Sequence, residues 1–348
     1  MEIETYKDRG LTGLANLGNT CFINSCIQIL SHTYELNEFL NKEEYKKKLQ
    51  KKFDTTLLIE WDNLRQMMWS ENCIVSPGKF IKTIRKLSQI KGIDLFSGYS
   101  QNDLPEFLLF IVDCFHNSLA RPVVMNITGT ISTDTDKLAK DCFEMIKKMY
   151  TKEYSEIWNM FYGVHISQLI SIEDNSVLSS SPEPFFMINL SIPMANKSPT
   201  LIDCFDLYVE GETLDGENAW FNESTGKKQD VKKKFVYWSL PNVLVIDLKR
   251  ISPINHNHKN QILVDFPITD LNLSKYIVGY KKDSYVYDLY GICNHSGNTL
   301  GGHYTSFVKN ANGKWYHFND TNVNEVTDLS KLISPKAYCF FYRKKTIE

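Results

Sequence analysis

Gly13-Leu14-Ala15-Asn16-Leu17-Gly18-Asn19-Thr20-Cys21-Phe22-Ile23-Asn24-Ser25 opens on a glycine- and asparagine-rich loop. It closes on an apolar run that continues at helical spacing through Ile27 and Leu30. Thr20-Cys21 stands at the junction. That order predicts a helix starting at or near Cys21, where the macrodipole and unpaired N–H groups favour a thiolate. The same N–H groups suit the oxyanion that forms when a thiolate attacks a carbonyl, and a loop amide such as Asn16 offers a second donor. The competing reading is an ordinary buried cysteine after a turn.

A second stretch, residues 294–320, bears on that choice. Gly297, Gly301 and Gly302 make a loop permissive enough for another chain to approach closely. His303 then opens a strand, and Asn310-Ala311-Asn312-Gly313 reads as a hairpin turn. Closing the hairpin at Asn310 and Gly313 puts Asp320 opposite His303, with Asn319 beside it. A two-residue Asn312-Gly313 turn instead puts Asn322 opposite and leaves Asp320 diagonal. In either register Asn319 or Asp320 reaches the imidazole and fixes its orientation. A cysteine with a histidine oriented by Asn or Asp is the acyl-transfer arrangement of papain-like peptidases.

Composition is compatible with that chemistry. The 348 residues are 43% hydrophobic and 13% aromatic, enough for a sizeable core. Lysine and arginine number 39 against 41 acidic residues, a formal charge of −2. That balance argues against nucleic acid or an anionic membrane as the main partner. No apolar stretch approaches the roughly 18 residues of a membrane span, and the N-terminus lacks an apolar signal core. The expectation is a soluble intracellular protein, cytoplasmic or nuclear, in which sequons such as Asn126-Ile127-Thr128 carry no glycosylation meaning. Eight cysteines include no C-x-x-C pair, so a disulfide framework is not expected and most should be buried.

Residues up to about 150 read mainly as helices. Leu138, Cys142, Met145 and Met149 recur at helical spacing behind an Asp134 or Asp136 cap. From about Phe161 the pattern turns to strands: 185–190, Val243 to Ile246, Val286 to Ile292, His303 to Val308, Lys314 to Phe318 and Ala337 to Tyr342. Helices first and strands later predict an α+β fold. The lysine-rich stretch 226–234 reads as a solvated loop and strand edge.

The segment from Gly13 to Gln28 resembles the Cys box of the ubiquitin-specific proteases, a family of papain-like cysteine deubiquitinases. Residues 295–304, continued by Trp315 to Asp320, resemble their His box. Three further matches lie between: Gln101-Asn102-Asp103-Leu104-Pro105-Glu106-Phe107-Leu108, Glu183-Pro184-Phe185, and Leu248-Lys249-Arg250 followed by Phe266-Pro267. The motifs stand in family order from about Leu11 to Arg343. The resemblance implies a single catalytic domain shaped as a right hand, with a helical thumb (about 11–155), β fingers (about 156–240) and a β palm (about 241–343). It implies hydrolysis of the isopeptide bond after the ubiquitin C-terminal glycine, with ubiquitin and ubiquitinated proteins as partners and no cofactor.

By position Cys21 is then the nucleophile, His303 the general base and acid, Asn319 its orienting residue, Asn16 the oxyanion donor and Asp320 a secondary polar support. Asp103 and Glu106 match acidic residues that receive the basic ubiquitin tail. Gln101, Gly302 and Tyr304 join them as substrate-binding positions. Asp103 and Glu106 also share a helix side at i and i+3, although a solvated face accounts for that spacing equally. Many family members bind zinc through two C-x-x-C pairs, and the matching positions here are Ser171 and Asp174, then Phe221 and Ser224. Without the four thiolates no structural zinc is expected, and Trp220 and Phe221 become candidates for packing that tip. His256-Asn257-His258 is the one other metal-like spacing and reads as solvated. Two alternatives remain: a protease for another ubiquitin-like modifier, and a module that binds ubiquitin without cleaving it. Retention of both Cys21 and His303 speaks against the second.

Overall fold

A computed structural model describes residues 3–98, 100, 102–194, 198–251, 259–298 and 301–346. Helices dominate the first half: α1 (Cys21–Ser31), α2 (Tyr34–Asn41), α3 (Asp54–Ser70), α4 (Gly78–Lys91), α5 (Leu104–Leu119), α6 (Asp134–Glu153) and α7 (Glu156–Phe161). Two short parallel strands, β1 (Gly13–Leu14) and β2 (Ile74–Val75), tie the loop before α1 to the loop before α4.

All eleven residues of α1 are buried. Its apolar residues fall on more than one side, so the helix must be enclosed, and α1 lies in the core shared by α2, α3, α4, α5, α7 and the large sheet. Phe22, Ile23, Ile27, Ile29 and Leu30 each contribute about 1.5–3 kcal/mol by that burial. Its polar residues find local partners: Gln28 donates to the Thr12 carbonyl at 2.7 Å. The α6 stripe packs as expected, with Cys142 fully buried among Leu138, Met145 and Met149. Its cap is neither aspartate but Thr133, in a reciprocal capping box with Asp136.

The second half is mostly β. Strands β3 (Gly163–Ser171) and β4 (Val177–Phe185) form a hairpin, β5 (Met187–Leu190) follows, and helix α8 (Leu201–Glu210) leads to β6 (Glu212–Leu214). Next come β7 (Trp220–Asn222), β8 (Lys227–Gln229) and β9 (Val231–Ser239). The order β4-β3-β9-β6 makes a four-stranded sheet, while β7 and β8 form a separate ribbon. Lys232, Lys233 and Lys234 therefore sit on an interior strand paired with β3 and β6, not on a strand edge. Alternation lets such a strand carry long polar side chains on its wet face.

The large sheet has eight strands: β5, β10 (Val243–Leu248), β11 (Leu271–Asn272), β12 (Val286–Asn298), β13 (Gly301–Lys309), β14 (Trp315–Asn319), β15 (Asn322–Val326) and β16 (Ala337–Lys344). The path runs β15-β14-β13-β12-β16-β10-β5, with β11 beside β12. This sheet divides two cores. Val243 and Val245 of β10 face the core of α1, and Leu244, Ile246 and Leu248 face the core beneath α8. That double coverage explains the uninterrupted apolar run in β10. The α+β order read from the sequence is the order found.

Candidate active site

Cys21 is the first residue of α1, and only 2% of it is exposed. Thr20 does not cap the helix with its hydroxyl, which instead accepts from the Leu17 N–H at 2.9 Å and holds the preceding loop. Burial pushes the Cys21 thiol above its ordinary value, and the charge of Asp320 pushes the same way. The backbone N–H of Tyr304, aimed at the sulfur, and those of Phe22 and Cys21 itself oppose them. Burial thus works against the thiolate that the helix terminus favours. Desolvation opposes the macrodipole, which gives a neighbouring base a role in taking the proton.

His303 lies on β13, one residue from the amide that touches the sulfur. Its Nε2 is 2.6 Å from the Asn319 side-chain oxygen. An amide oxygen only accepts, so Nε2 carries the hydrogen and Nδ1 is left to take up a proton. The hairpin that brings these residues together has neither register expected from the sequence. Asn310 donates to the Lys314 carbonyl, and Gly313, at φ +82°, donates to the Asn310 carbonyl. Three residues thus form the loop, with a glycine in the left-handed position. Lys309 pairs with Trp315 and Ser306 with Phe318. Carried two residues further, that register puts Asn319 diagonal to His303 on the same face, because strand faces alternate. Asp320 falls outside that face, and the two candidates separate.

Asp320 has a different set of contacts. It sits at φ +49° in the turn between β14 and β15. Its Oδ2 accepts from the Asn16 side-chain amide at 3.0 Å and its Oδ1 from that of Asn24 at 2.8 Å. Its carbonyl accepts from the Leu14 N–H at 2.8 Å. Asn16 in turn accepts from the Gly18 and Thr20 N–H groups at 3.1 and 3.2 Å. One N–H of the expected oxyanion donor is thus committed to Asp320. Gly13 must be glycine because a Cβ there would stand 2.3 Å from the Thr321 carbonyl.

Asp103 precedes α5 and accepts from both Tyr304 and Tyr338 hydroxyls at 3.1 Å. Burial raises its carboxyl above the usual range, and Glu106, exposed one turn on, is raised by partial burial and then by Asp103. The pair is therefore one exposed acid and one acid held by tyrosines, not two solvated charges. Gly302 leaves no room for a side chain: a Cβ would meet His295 Nε2 at 2.2 Å and the Ser296 carbonyl at 2.5 Å. His295 packs on Tyr304 with ring centroids 4.6 Å apart. Gln101 and the His256–His258 pair lie outside the described residues. Asn24 and Tyr338 escaped the sequence reading. Asn24 left a signal, a buried carboxamide in a helix rich in apolar residues; Tyr338 left none, being 235 residues from its partner Asp103.

The fingertip positions do not fit zinc. The Ser171 hydroxyl accepts from the Glu173 and Asp174 N–H groups. Asp174 accepts from the Ser176 N–H and hydroxyl at 3.0 and 2.7 Å. Phe221 is 54% exposed, so it does not pack the tip. Its buried neighbour Asn222 organises the second turn, accepting from the Ser224 N–H at 3.0 Å. Short polar side chains close both knuckles, as in Asx- and ST-turns. Among the described residues no group of three His, Cys, Asp or Glu side chains is placed to hold a metal, and no helix is long and apolar enough to cross a membrane.

Comparison with known proteins bears on the family and the fold. The family model described as ubiquitin carboxyl-terminal hydrolase matches residues 12–342. Human ubiquitin carboxyl-terminal hydrolase 2 is 34% identical over 344 residues, covering 96% of this chain and 55% of that protein. The Drosophila melanogaster enzyme Usp2 is 34% identical over 346 residues, covering 97% of this chain and 35% of its own length. The chain thus spans about half the length, or less, of these curated relatives. Among solved structures, the SAGA Ubp8/Sgf11/Sus1/Sgf73 DUB module bound to ubiquitin aldehyde superposes with a TM-score of 0.74 at 23% identity, covering 100% of this chain and 72% of that one. That likeness shows a shared fold.

Proposed function

The chain belongs to the ubiquitin carboxyl-terminal hydrolase family, and on that premise we propose that it is a thiol-dependent deubiquitinase. It hydrolyses the isopeptide bond that follows the ubiquitin C-terminal glycine, in ubiquitin and in ubiquitinated proteins. The observation that carries the reading is the joint placement of three groups. Cys21 opens α1, the Tyr304 amide faces its sulfur, and the adjacent His303 is pinned through Nε2 by Asn319.

In this reading His303 Nδ1 removes the thiol proton and the thiolate attacks the glycine carbonyl carbon. The developing oxyanion is received by N–H groups at the start of α1 and by the second N–H of Asn16. His303 then returns its proton to the leaving lysine amine, which leaves a thioester on Cys21. Water, deprotonated by His303, attacks that thioester and frees the ubiquitin carboxylate and the thiol. Glu106, Asp103, Gly302 and Tyr304 line the approach of the basic tail, and Gln101 belongs to the same motif. Residues from about 11 to 343 act as one catalytic unit of thumb, fingers and palm. The strand β5 is the part of the finger segment that pairs within the palm sheet. Eight unpaired thiols support a reducing compartment, the cytoplasm or nucleus, and the near-neutral charge supports protein partners over nucleic acid or membrane.

Cleavage of lysine-linked di-ubiquitin tests the proposal. The wild-type protein is expected to release mono-ubiquitin, Cys21→Ala to release none while still retaining ubiquitin on a column, and Cys26→Ala to remain active. A dead Cys26→Ala beside an active Cys21→Ala would overturn the assignment.

A further inference from the structure

We propose that Asn24 is a positioning residue for turnover: it fixes Asp320, and through Asp320 the amide of Asn16. The inference rests on the reading of Cys21 as nucleophile and adds a residue to it. Asn24 lies one helical turn after Cys21 on α1 and is 2% exposed. Its amide nitrogen is 2.8 Å from Asp320 Oδ1 and stands 3.4 Å from both the Leu14 and Ala15 carbonyls. One carboxamide therefore touches the turn after β14 and the loop that precedes the nucleophile.

Asp320 has two carboxylate oxygens and each is taken by a different asparagine, Asn24 on one side and Asn16 on the other. A carboxylate with two opposed donors has one orientation. With the Asn24 donor gone it is free to rotate about its own side-chain bonds, and its hold on the Asn16 amide nitrogen loosens. Asn16 is exposed, so packing does not hold it. Its orientation comes from Asp320 at the nitrogen and from the Gly18 and Thr20 N–H groups at the oxygen. Those contacts fix the plane of the amide and hence the direction of its remaining N–H. Asn24 also moderates a charge. Asp320 raises the Cys21 thiol, and a buried donor on that carboxylate draws its negative charge toward α1. Loss of Asn24 should thus harm both thiolate formation and the oxyanion donor, without altering the surface that holds ubiquitin.

The test measures kcat and KM for a fluorogenic amide of the ubiquitin C-terminus, with thermal melting on the same samples. Asn24→Ala is expected to lower kcat by roughly 10–10²-fold with KM within about twofold, the pattern of a lost transition-state interaction. Asn24→Asp sets two carboxylates against each other, so its kcat should recover partly as pH falls and one of them protonates. Asp320→Asn alone presents an amide N–H₂ to an amide N–H₂ on one side, and turning the Asn24 amide over to accept instead takes its N–H₂ away from the Leu14 and Ala15 carbonyls. Combining Asn24→Asp with Asp320→Asn restores a donor–acceptor chain: the position-320 amide donates to the new carboxylate and accepts from Asn16. The double variant should therefore exceed both single variants in kcat by several-fold. That rescue remains decisive if Asn24→Ala does not fold. A wild-type protein without ubiquitin hydrolysis would sink the reading of the site. Wild-type turnover with Asn24→Ala matching it in kcat, or a double variant no better than its worse parent, would sink this inference alone.

Discussion

Gly302→Ala perturbs the site without removing any functional group. The added Cβ would lie 2.2 Å from His295 Nε2 and 2.5 Å from the Ser296 carbonyl oxygen. Carbon–nitrogen and carbon–oxygen contacts settle near 3.5 Å, so about 1 Å must be found on each side. The His295 ring has little freedom: it packs on Tyr304 and Tyr338, and its carbonyl accepts from the buried Lys259 ammonium at 2.6 Å. The Ser296 oxygen is backbone on the strand that pairs with His303. Relief therefore comes from parting β12 and β13 at the position of His303. Overpacking of this kind costs about 1–3 kcal/mol of stability. A shift of about 1 Å in the base relative to the sulfur costs on the order of 10² in rate. Hydrolysis of a ubiquitin C-terminal fluorogenic amide and urea denaturation of the same variant measure the two effects. Activity within twofold of wild type would show that the strands absorb a methyl group at this position, and the packing argument would fail.

Acid should destabilise the fold through His32. Burial holds its imidazole down at about 4 from an ordinary 6.5, with Nδ1 2.8 Å from the Gln28 carbonyl. A depressed base contributes stability above the unfolded value and loses it as pH falls through the window from 6.5 to about 4; the full effect is roughly 3 kcal/mol. His32→Asn keeps a donor but cannot titrate, so its stability should fall less steeply over that window; equal slopes would refute the role. Glu106→Lys should raise KM for ubiquitin substrates and weaken the salt dependence of association, since exposed attractions are screened within about 8–10 Å. Unchanged KM across a salt series would return Glu106 to a plain solvated face. Asp103→Ala should act differently, lowering the urea midpoint through a cost of about 1–3 kcal/mol for each tyrosine hydroxyl left without an acceptor; an unchanged midpoint would show that the contacts are idle. A chelator should alter neither melting nor turnover, and elemental analysis should find well under one zinc per chain; one tightly held zinc would overturn the fingertip account.

Much of the site was legible because its signals are local. The glycine–asparagine loop, the cysteine and the apolar helix are contiguous, so the start of α1 at Cys21 follows from spacing alone. The strand runs of the last third were equally plain from their β-branched and aromatic content. Three things were not. The hairpin register depended on Gly313 taking a left-handed conformation in a three-residue loop, and a turn one residue longer or shorter reassigns every facing pair. The surroundings of Cys21 depended on β13, far away in sequence, and the burial they impose opposes the effect expected from the helix end. The fingertip depended on Asn222 and Ser171 bonding to their own backbone, a choice that short polar side chains offer in many sequences and that only the folded turn selects.

Reaction with ubiquitin carrying a C-terminal electrophile tests the central claim most directly. The protein is incubated with the probe and the product analysed by intact mass and by peptide mapping. A single adduct of one ubiquitin per chain, attached to Cys21 and abolished by Cys21→Ala, is the result expected from a nucleophile at the start of α1 served by His303 and Asn319. Attachment at any of the other seven cysteines, or no adduct with the folded wild-type protein, would contradict it.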